Sequence, residues 1–406
     1  MGLPKYFTIG TVLILVLAVA FQQYHSYVVS GAPDYPGRPV NMPTLIMQGL
    51  ANARRNREML QYIESDLLHP YDDNLAKAKT VLLTGATSGL GFGVAVRLIA
   101  AGRLRLILPA RKANDAAYVK DWKSRLESGA LDLLLSNGND RELSESRIRR
   151  VMSRLRTPQL DLASFDSIEK CAEEVGAYYD GQRSITIEVL INNAGMISVY
   201  GGNTVDGFEK ALGINYIGTA YFTEKLREVG AFSAWDPVFH FPRIVMVSSE
   251  EHRFTKSFDL SGTTNFGDPY DWGPIGTMGG YGYSKFALTT YSHELSRRWK
   301  GKARVYDICP GPVASDIASS APWPLNLLVK LWMDASFIPA IDAALPVVFL
   351  ALYPTDEHVN AGEDLPVHWH MAEARQALET TTLESTGQFL WESTRKIFEK
   401  KGPLSR

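Results

Sequence analysis

Tyr281 and Lys285 stand four residues apart in Tyr281-Gly282-Tyr283-Ser284-Lys285. On a helix that spacing puts both side chains on one face. A free phenol titrates near ~10, too high to trade protons readily at neutral pH. An ammonium one turn away, helped by a cationic ring opposite, lowers that value and makes the phenol a proton donor. Tyr283 is the rival tyrosine, but at i, i+2 it points away from Lys285. Ser249 ends the run Ile244-Val245-Met246-Val247-Ser248-Ser249 and is placed to hydrogen-bond a substrate oxygen, with Ser248 as its rival. A helical Tyr/Lys pair alone is structural in most proteins, so the chemistry needs a second motif.

That motif lies about 190 residues earlier, in Thr84-Gly85-Ala86-Thr87-Ser88-Gly89-Leu90-Gly91. It follows an apolar run and precedes a helix-like segment. Gly85, Gly89 and Gly91 let the backbone turn sharply and approach a pyrophosphate, while the amides of Ser88 to Gly91 open a helix whose dipole favours an anion. A glycine turn without ligand is the plainer alternative. About 20 residues on, an acid would hold the ribose 2′-hydroxyl of NAD. Here the second strand ends Leu108-Pro109-Ala110-Arg111-Lys112. Arg111 and Lys112 suit a 2′-phosphate, which implies NADP(H); ordinary surface charges are the alternative. Asn192-Asn193-Ala194-Gly195 follows a further strand and would run beneath the adenine-side ribose, with Asn193 at the cofactor. Both motifs, in this order, point to hydride transfer from a nicotinamide cofactor.

The elements that must position these residues are legible as short apolar runs at 81–83, 104–108, 160–162, 189–191, 244–247 and 304–309, separated by helix-like segments. Strands buried on both faces have this texture, and the alternation predicts a doubly wound parallel sheet with helices on both faces. Residues 114–157 carry two predicted helices around Ser136-Asn137-Gly138-Asn139-Asp140. The second bears Arg147, Arg149, Arg150, Arg154 and Arg156, read as a solvated face or a basic patch. Residues 250–280 read as a loop over the site. The apolar stretch 316–336, with Trp323 and Trp332, reads as a substrate lid or as ordinary core. His368 and His370, in Val367-His368-Trp369-His370, read as surface or packing residues, and no metal is expected.

The 406 residues, 45% apolar, suffice for a large core, and a net charge of −2 gives no reason to expect nucleic acid. Cys171 and Cys309 lie far apart, without metal-type or redox-type spacing, and read as reduced core thiols. No Asp, Glu, Lys or Arg occurs from Tyr6 to Pro33. The apolar run there approaches the ~20 residues that cross a bilayer as a helix. Residues 1–24 are therefore expected to be a membrane anchor, with a cleaved signal ending near Ala18-Val19-Ala20 or a buried helix as alternatives. A proline-rich linker and an amphipathic helix fill residues 25–78, and 79–406 form the catalytic domain.

Taken together, these residues resemble the short-chain dehydrogenase/reductase family. The matches are the Thr84–Gly91 turn, Asn192–Gly195, the strand ending at Ser249, Tyr281/Lys285 and Pro310-Gly311-Pro312-Val313-Ala314-Ser315. The resemblance implies that Asp161 and Leu162 meet the adenine, that Asn215 joins a proton relay through Lys285, and that Val313 holds the nicotinamide carboxamide through its backbone. Pro109-Ala110-Arg111 and Leu390-Trp391-Glu392-Ser393-Thr394 look like the membrane-associated, retinol dehydrogenase-like branch. That branch implies NADP(H), a lipophilic alcohol or aldehyde, and residence in endoplasmic reticulum or lipid droplet facing the cytosol; a homodimer is also considered. The expected activity is interconversion of a carbonyl and an alcohol on a retinoid-, steroid- or lipid-like substrate. A non-catalytic NADPH sensor and a double-bond reductase are the alternatives.

Overall fold

A computed structural model describes residues 79–178, 184–198, 202–233, 241–255, 273–311, 313–314, 338–352, 368–371 and 373–400, the side chains of 254, 273–279 and 373 aside. The predicted anchor, linker helix and lid lie outside these residues, as does most of the 250–280 loop. Among the described residues no helix is long and apolar enough to cross a membrane.

The sheet grows from β1 (Lys79–Leu83), β2 (Leu104–Ile107), β3 (Val189–Asn192), β4 (Arg243–Val247), β5 (Arg304–Cys309), β8 (His368–His370) and β9 (Glu373–Arg375), in the order β2-β1-β3-β4-β5-β8-β9. Every pairing from β2 to β8 is parallel; β9 turns back antiparallel to β8. The central strands are buried along their length because both faces are covered. Alternate residues feed different cores. Val81, Leu83, Val189, Ile191, Val245 and Val247 enter one, and Leu82, Leu190, Ile244 and Met246 enter the other.

The first core is closed by α1 (Gly89–Ala101), α2 (Ala116–Ser136), α3 (Arg141–Met152) and α9 (Leu345–Leu352), the last reached through the short β6 (Val313–Ala314), β7 (Ile338–Pro339) and α8 (Ala340–Ala343). The second is closed by α4 (Phe165–Gly176), α6 (Thr219–Glu228), α7 (Gly273–Arg298) and α11 (Glu384–Glu399). A short α5 (Lys210–Leu212) and a π-helical turn (Gly213–Gly218) lead into α6, and α10 (Glu379–Thr382) leads into α11. The expectation of helices on both faces holds.

Two readings are corrected. The run 160–162 is not a strand; β2 is flanked instead by isolated parallel bridges, Ile107 to Arg156 and Ala110 to Gln159. Leu160 and Leu162 are apolar because they pack into the second core, not because they pair in the sheet. The sheet is also not purely parallel, since β9 was not foreseen. The two helices expected within 114–157 are present as α2 and α3. Asp115 and Asp140 cap them by accepting hydrogen bonds from Tyr118 N and Leu143 N, both at 3.0 Å. Trp122 of α2 donates its indole N–H to Ala86 O at 3.1 Å, so the insertion buttresses the glycine turn.

Candidate active site

The chain reverses direction across the sheet between β1 and β3, where an open α/β sheet forms a crevice at its carboxyl edge. Thr84, Asn193, Ser249 and Gly311 all lie just beyond strand ends on that edge. Gly85 adopts φ +74°, and a Cβ on it would come within 2.8 Å of Ala194 Cα. A Cβ on Gly91 would sit 2.2 Å from Gly85 O. Only glycine permits this close-wound turn. Ser88 begins α1 in extended conformation, and no side chain caps the helix. Gly89, Leu90 and Gly91 form its first turn, so their amides are available to an anion. Asn193 fixes the turn from β3: its backbone N donates to Thr84 Oγ1 at 3.1 Å and its amide to Thr84 O at 2.9 Å. The turn is therefore rigid, and a dinucleotide pyrophosphate fits what it offers.

Arg111 and Lys112 are both exposed beyond β2, with no acid between Leu108 and Lys112. The Asp161 carboxylate accepts from Ala163 N at 3.0 Å and closes a turn. Leu162 turns its side chain into the core, leaving only backbone for a cofactor. Val313, in β6, pairs with Ile338 at the far end of the same edge.

Ser249 is half-buried, whereas Ser248 is buried. Ser249 lies near enough to the Tyr281 phenol to favour its ionised form. Lys285 Nζ lies 5.7 Å from the centre of the Tyr281 ring and donates to Val247 O at 2.8 Å. Tyr283, the rival, packs into the second core. Asn215 sits in the π turn. Its amide donates to Met196 O and Ser284 Oγ, both at 2.9 Å, and its Oδ1 accepts from Met196 N at 2.8 Å. The structure thus brings Ser249, Tyr281 and Lys285 together, with Asn215 close by: a Cβ on Gly195 would lie 3.3 Å from Asn215 Oδ1 and 3.5 Å from Lys285 Nζ.

In the protein without a cofactor the Tyr281 phenol is pushed up. Burial is the main cause, the Glu251 charge adds to it, and Ser249 only partly opposes them. Burial likewise brings Lys285 down to about 8, with Asp307 and then Cys309 resisting. The cluster holds a protonated phenol above a weakened ammonium.

His368 is buried: its Nδ1 lies 2.6 Å from Asp307 Oδ2 and its Nε2 lies 2.9 Å from Glu250 Oε1. Packing was anticipated, but this ionic bracing was not, because its three members come from separate parts of the chain. Glu250, Cys309 and His370 each bring one polar atom within 4.8 Å of the others. The Glu250 oxygens are already taken by His368 and Arg253. Cys171 and Cys309 are buried free thiols, as expected.

Among known proteins, mouse (Mus musculus) retinol dehydrogenase 14 is 30% identical over 292 residues, 71% of this chain and 78% of its own length. The chain belongs to the short-chain dehydrogenase/reductase family. Within that family it falls in the retinol dehydrogenase-like branch and is an oxidoreductase. Human (Homo sapiens) polyprenol dehydrogenase is 25% identical over 322 residues, 77% of this chain and 83% of that protein. The family's fold is also found in the crystal structure of an uncharacterized protein from Mycobacterium paratuberculosis. It has a TM-score of 0.51 and 21% identity, and covers 79% of this chain and 93% of the other. No family model matches the chain.

Proposed function

We propose that this chain is an NADP(H)-dependent oxidoreductase that interconverts a carbonyl and an alcohol on a lipophilic substrate. The observation that carries the reading is Tyr281 with Lys285 Nζ 5.7 Å from its ring centre and Ser249 near its phenol, on a sheet edge that also carries the Gly85–Gly91 turn. A bound nicotinamide dinucleotide would supply or accept the hydride. The α1 amides would hold the pyrophosphate, and Arg111 and Lys112 would favour a 2′-phosphate. Asp161, the Leu162 backbone, Asn193 and the Val313 backbone would hold the remainder of the cofactor.

During reduction Ser249 donates to the substrate oxygen and Tyr281 passes its proton to the same atom. The Lys285 ammonium stabilises the phenolate that forms. Without it a buried tyrosine would resist ionisation, since burial penalises the charged form. Asn215 holds the backbone at Met196 and so shapes the wall next to Lys285. The lipophilic substrate is supported by relatives named for retinol and polyprenol, and by the apolar sequence at 316–336. Membrane attachment through residues 1–24 is part of the same proposal.

The test uses the full-length chain in detergent micelles with NADPH and a panel of dodecanal, retinal and ketosteroids, following absorbance of the reduced cofactor. The Tyr281→Phe variant is expected to lose roughly 10²- to 10⁴-fold in kcat while binding NADPH as before. Normal turnover by that variant would refute the assignment.

A further inference from the structure

Behind Ser249 lies a buried polar assembly that the reaction above does not use. Asp307 on β5 pairs in register with His368 on β8, and both are enclosed. Both nitrogens of His368 face carboxylate oxygens, Asp307 at 2.6 Å and Glu250 at 2.9 Å. Carboxylates only accept, so both nitrogens must carry hydrogen and the ring is an imidazolium. The second Glu250 oxygen accepts from Arg253 Nε at 2.7 Å, and Arg253 Nη2 donates to Gln376 O at 2.6 Å. Glu250 directly follows Ser249 and opens a short 3₁₀ turn that Ser249 caps.

His252 secures the same turn. Leu378 N donates to His252 Nε2 at 3.2 Å, so that nitrogen is the acceptor. The Nδ1 therefore bears the hydrogen and donates to Ser249 O at 2.7 Å, a carbonyl that also accepts from His252 N at 3.1 Å. The serine backbone is thus pinned to β5, to β8 and to the segment before α10.

We propose that His368, gripped between Asp307 and Glu250, is a positioning residue for hydride transfer. It locks the backbone that presents Ser249 and holds the Asp307 carboxylate where it favours the Lys285 ammonium. This inference rests on the oxidoreductase reading. His368 touches Asp307 and Glu250 and meets the His252 ring edge-on at 4.9 Å; Arg253 and His370 approach it through Glu250, and His293 on α7 acts on it by charge. Lys285 Nζ bonds Val247 O, and Met246, next to Val247, is the register partner of Asp307, so Lys285 feels the charges of Asp307 and Cys309 on β5, with the Tyr281 ring on its own helix. Asp307 is the ionised acid in both sets, so it links the brace to the catalytic cation.

The experiment measures kcat, KM and NADPH affinity against pH for the full-length chain, Glu250→Gln and Asp307→Asn, with the panel aldehyde turned over fastest. Glu250→Gln loosens the serine turn, so kcat should fall roughly 10- to 100-fold with NADPH affinity unchanged. Asp307→Asn removes the charge that sustains the ammonium. The alkaline limb of kcat should then move to lower pH by about one pH unit. A purely structural brace would lower the amount of folded enzyme and leave that limb in place.

A third measurement needs neither variant nor turnover. Nitrogen-labelled histidine spectra of the unaltered chain at pH 8 should show an imidazolium coupled to carboxylates and a neutral His252 protonated at Nδ1. Turnover with an unmoved limb in Asp307→Asn, or a neutral His368 at that pH, overturns the positioning role alone. Absence of turnover in the unaltered chain across the panel, with NADPH bound, overturns the oxidoreductase reading and this role with it.

Discussion

At the scale of single residues, the buried histidines oppose one another, and their signs can be worked out. Burial favours a neutral His368 ring, but the Asp307 charge and the bonds to Asp307 and Glu250 prevail and push it up to about 9. A group raised in the folded state lends stability that is complete below its unfolded value, 6.5, and fades as pH climbs toward 9. His252 and His293 are brought down to about 3 and about 4, chiefly by burial. Their contribution is present above 6.5 and fades as pH falls. Lys285, down to about 8 from 10.5, penalises folding at neutral pH and is relieved only as pH rises beyond 8. Of these four groups, only His368 changes the balance between pH 6.5 and 8. The chain should lose about 2 kcal/mol across that window, counting ~1.4 kcal/mol per pH unit. His368→Gln should start lower, because it leaves the buried Asp307 carboxylate without its counter-charge and Glu250 with Arg253 alone, yet show little slope there. Chemical denaturation at a series of pH values reads both quantities, and parallel slopes would contradict the assigned charge.

At the scale of elements, the C-terminal helix explains why a segment far from the chemistry matters. Leu390 and Phe398 of α11 enter the second core. Trp391 stacks on Tyr291 of α7, with ring centres 5.8 Å apart and planes 9° from parallel, and the Arg298 guanidinium lies 4.6 Å from its ring centre. Thr394 Oγ1 shares a 2.5 Å hydrogen bond with the Tyr216 hydroxyl, inside the π turn that carries Asn215. One helix therefore supports both the Tyr281/Lys285 helix and the asparagine. Trp391→Ala removes the stack and the cation–π contact together. The expected cost is about 1–3 kcal/mol, read as a lower denaturation midpoint, with reduced kcat and unaltered NADPH affinity. An unchanged midpoint would show that α11 merely rests on the domain.

At the scale of the whole molecule, what the sequence reveals is what is encoded contiguously. Residues 81–83, 189–191 and 244–247 are unbroken apolar runs, so their burial on both faces is visible in the letters. Gly85, Gly89 and Gly91 are forced by local geometry, and Tyr281 and Lys285 by helical period. The brace of Asp307, His368 and Glu250 is not contiguous, and β8 is too short to announce itself by pattern. Leu160 and Leu162 look like strand residues because apolarity reports burial and not partner. The cofactor preference tests the contiguous part at full scale, since a dinucleotide bound as proposed would span from β2 to β5 and stabilise what it bridges. A ligand at 100 times its dissociation constant adds about 2.7 kcal/mol. NADPH should therefore raise the melting temperature of the full-length chain by several degrees, and more than equimolar NADH does. Arg111 and Lys112 are exposed and bear no part of either core, so Arg111→Asp with Lys112→Ala should melt normally without ligand. The acid introduced at 111 would repel a 2′-phosphate and accept from a 2′-hydroxyl, so the order of the two coenzymes should invert. Equal protection by both, before and after the exchange, would mean that these cations are surface charge and that NADP(H) selection lies elsewhere.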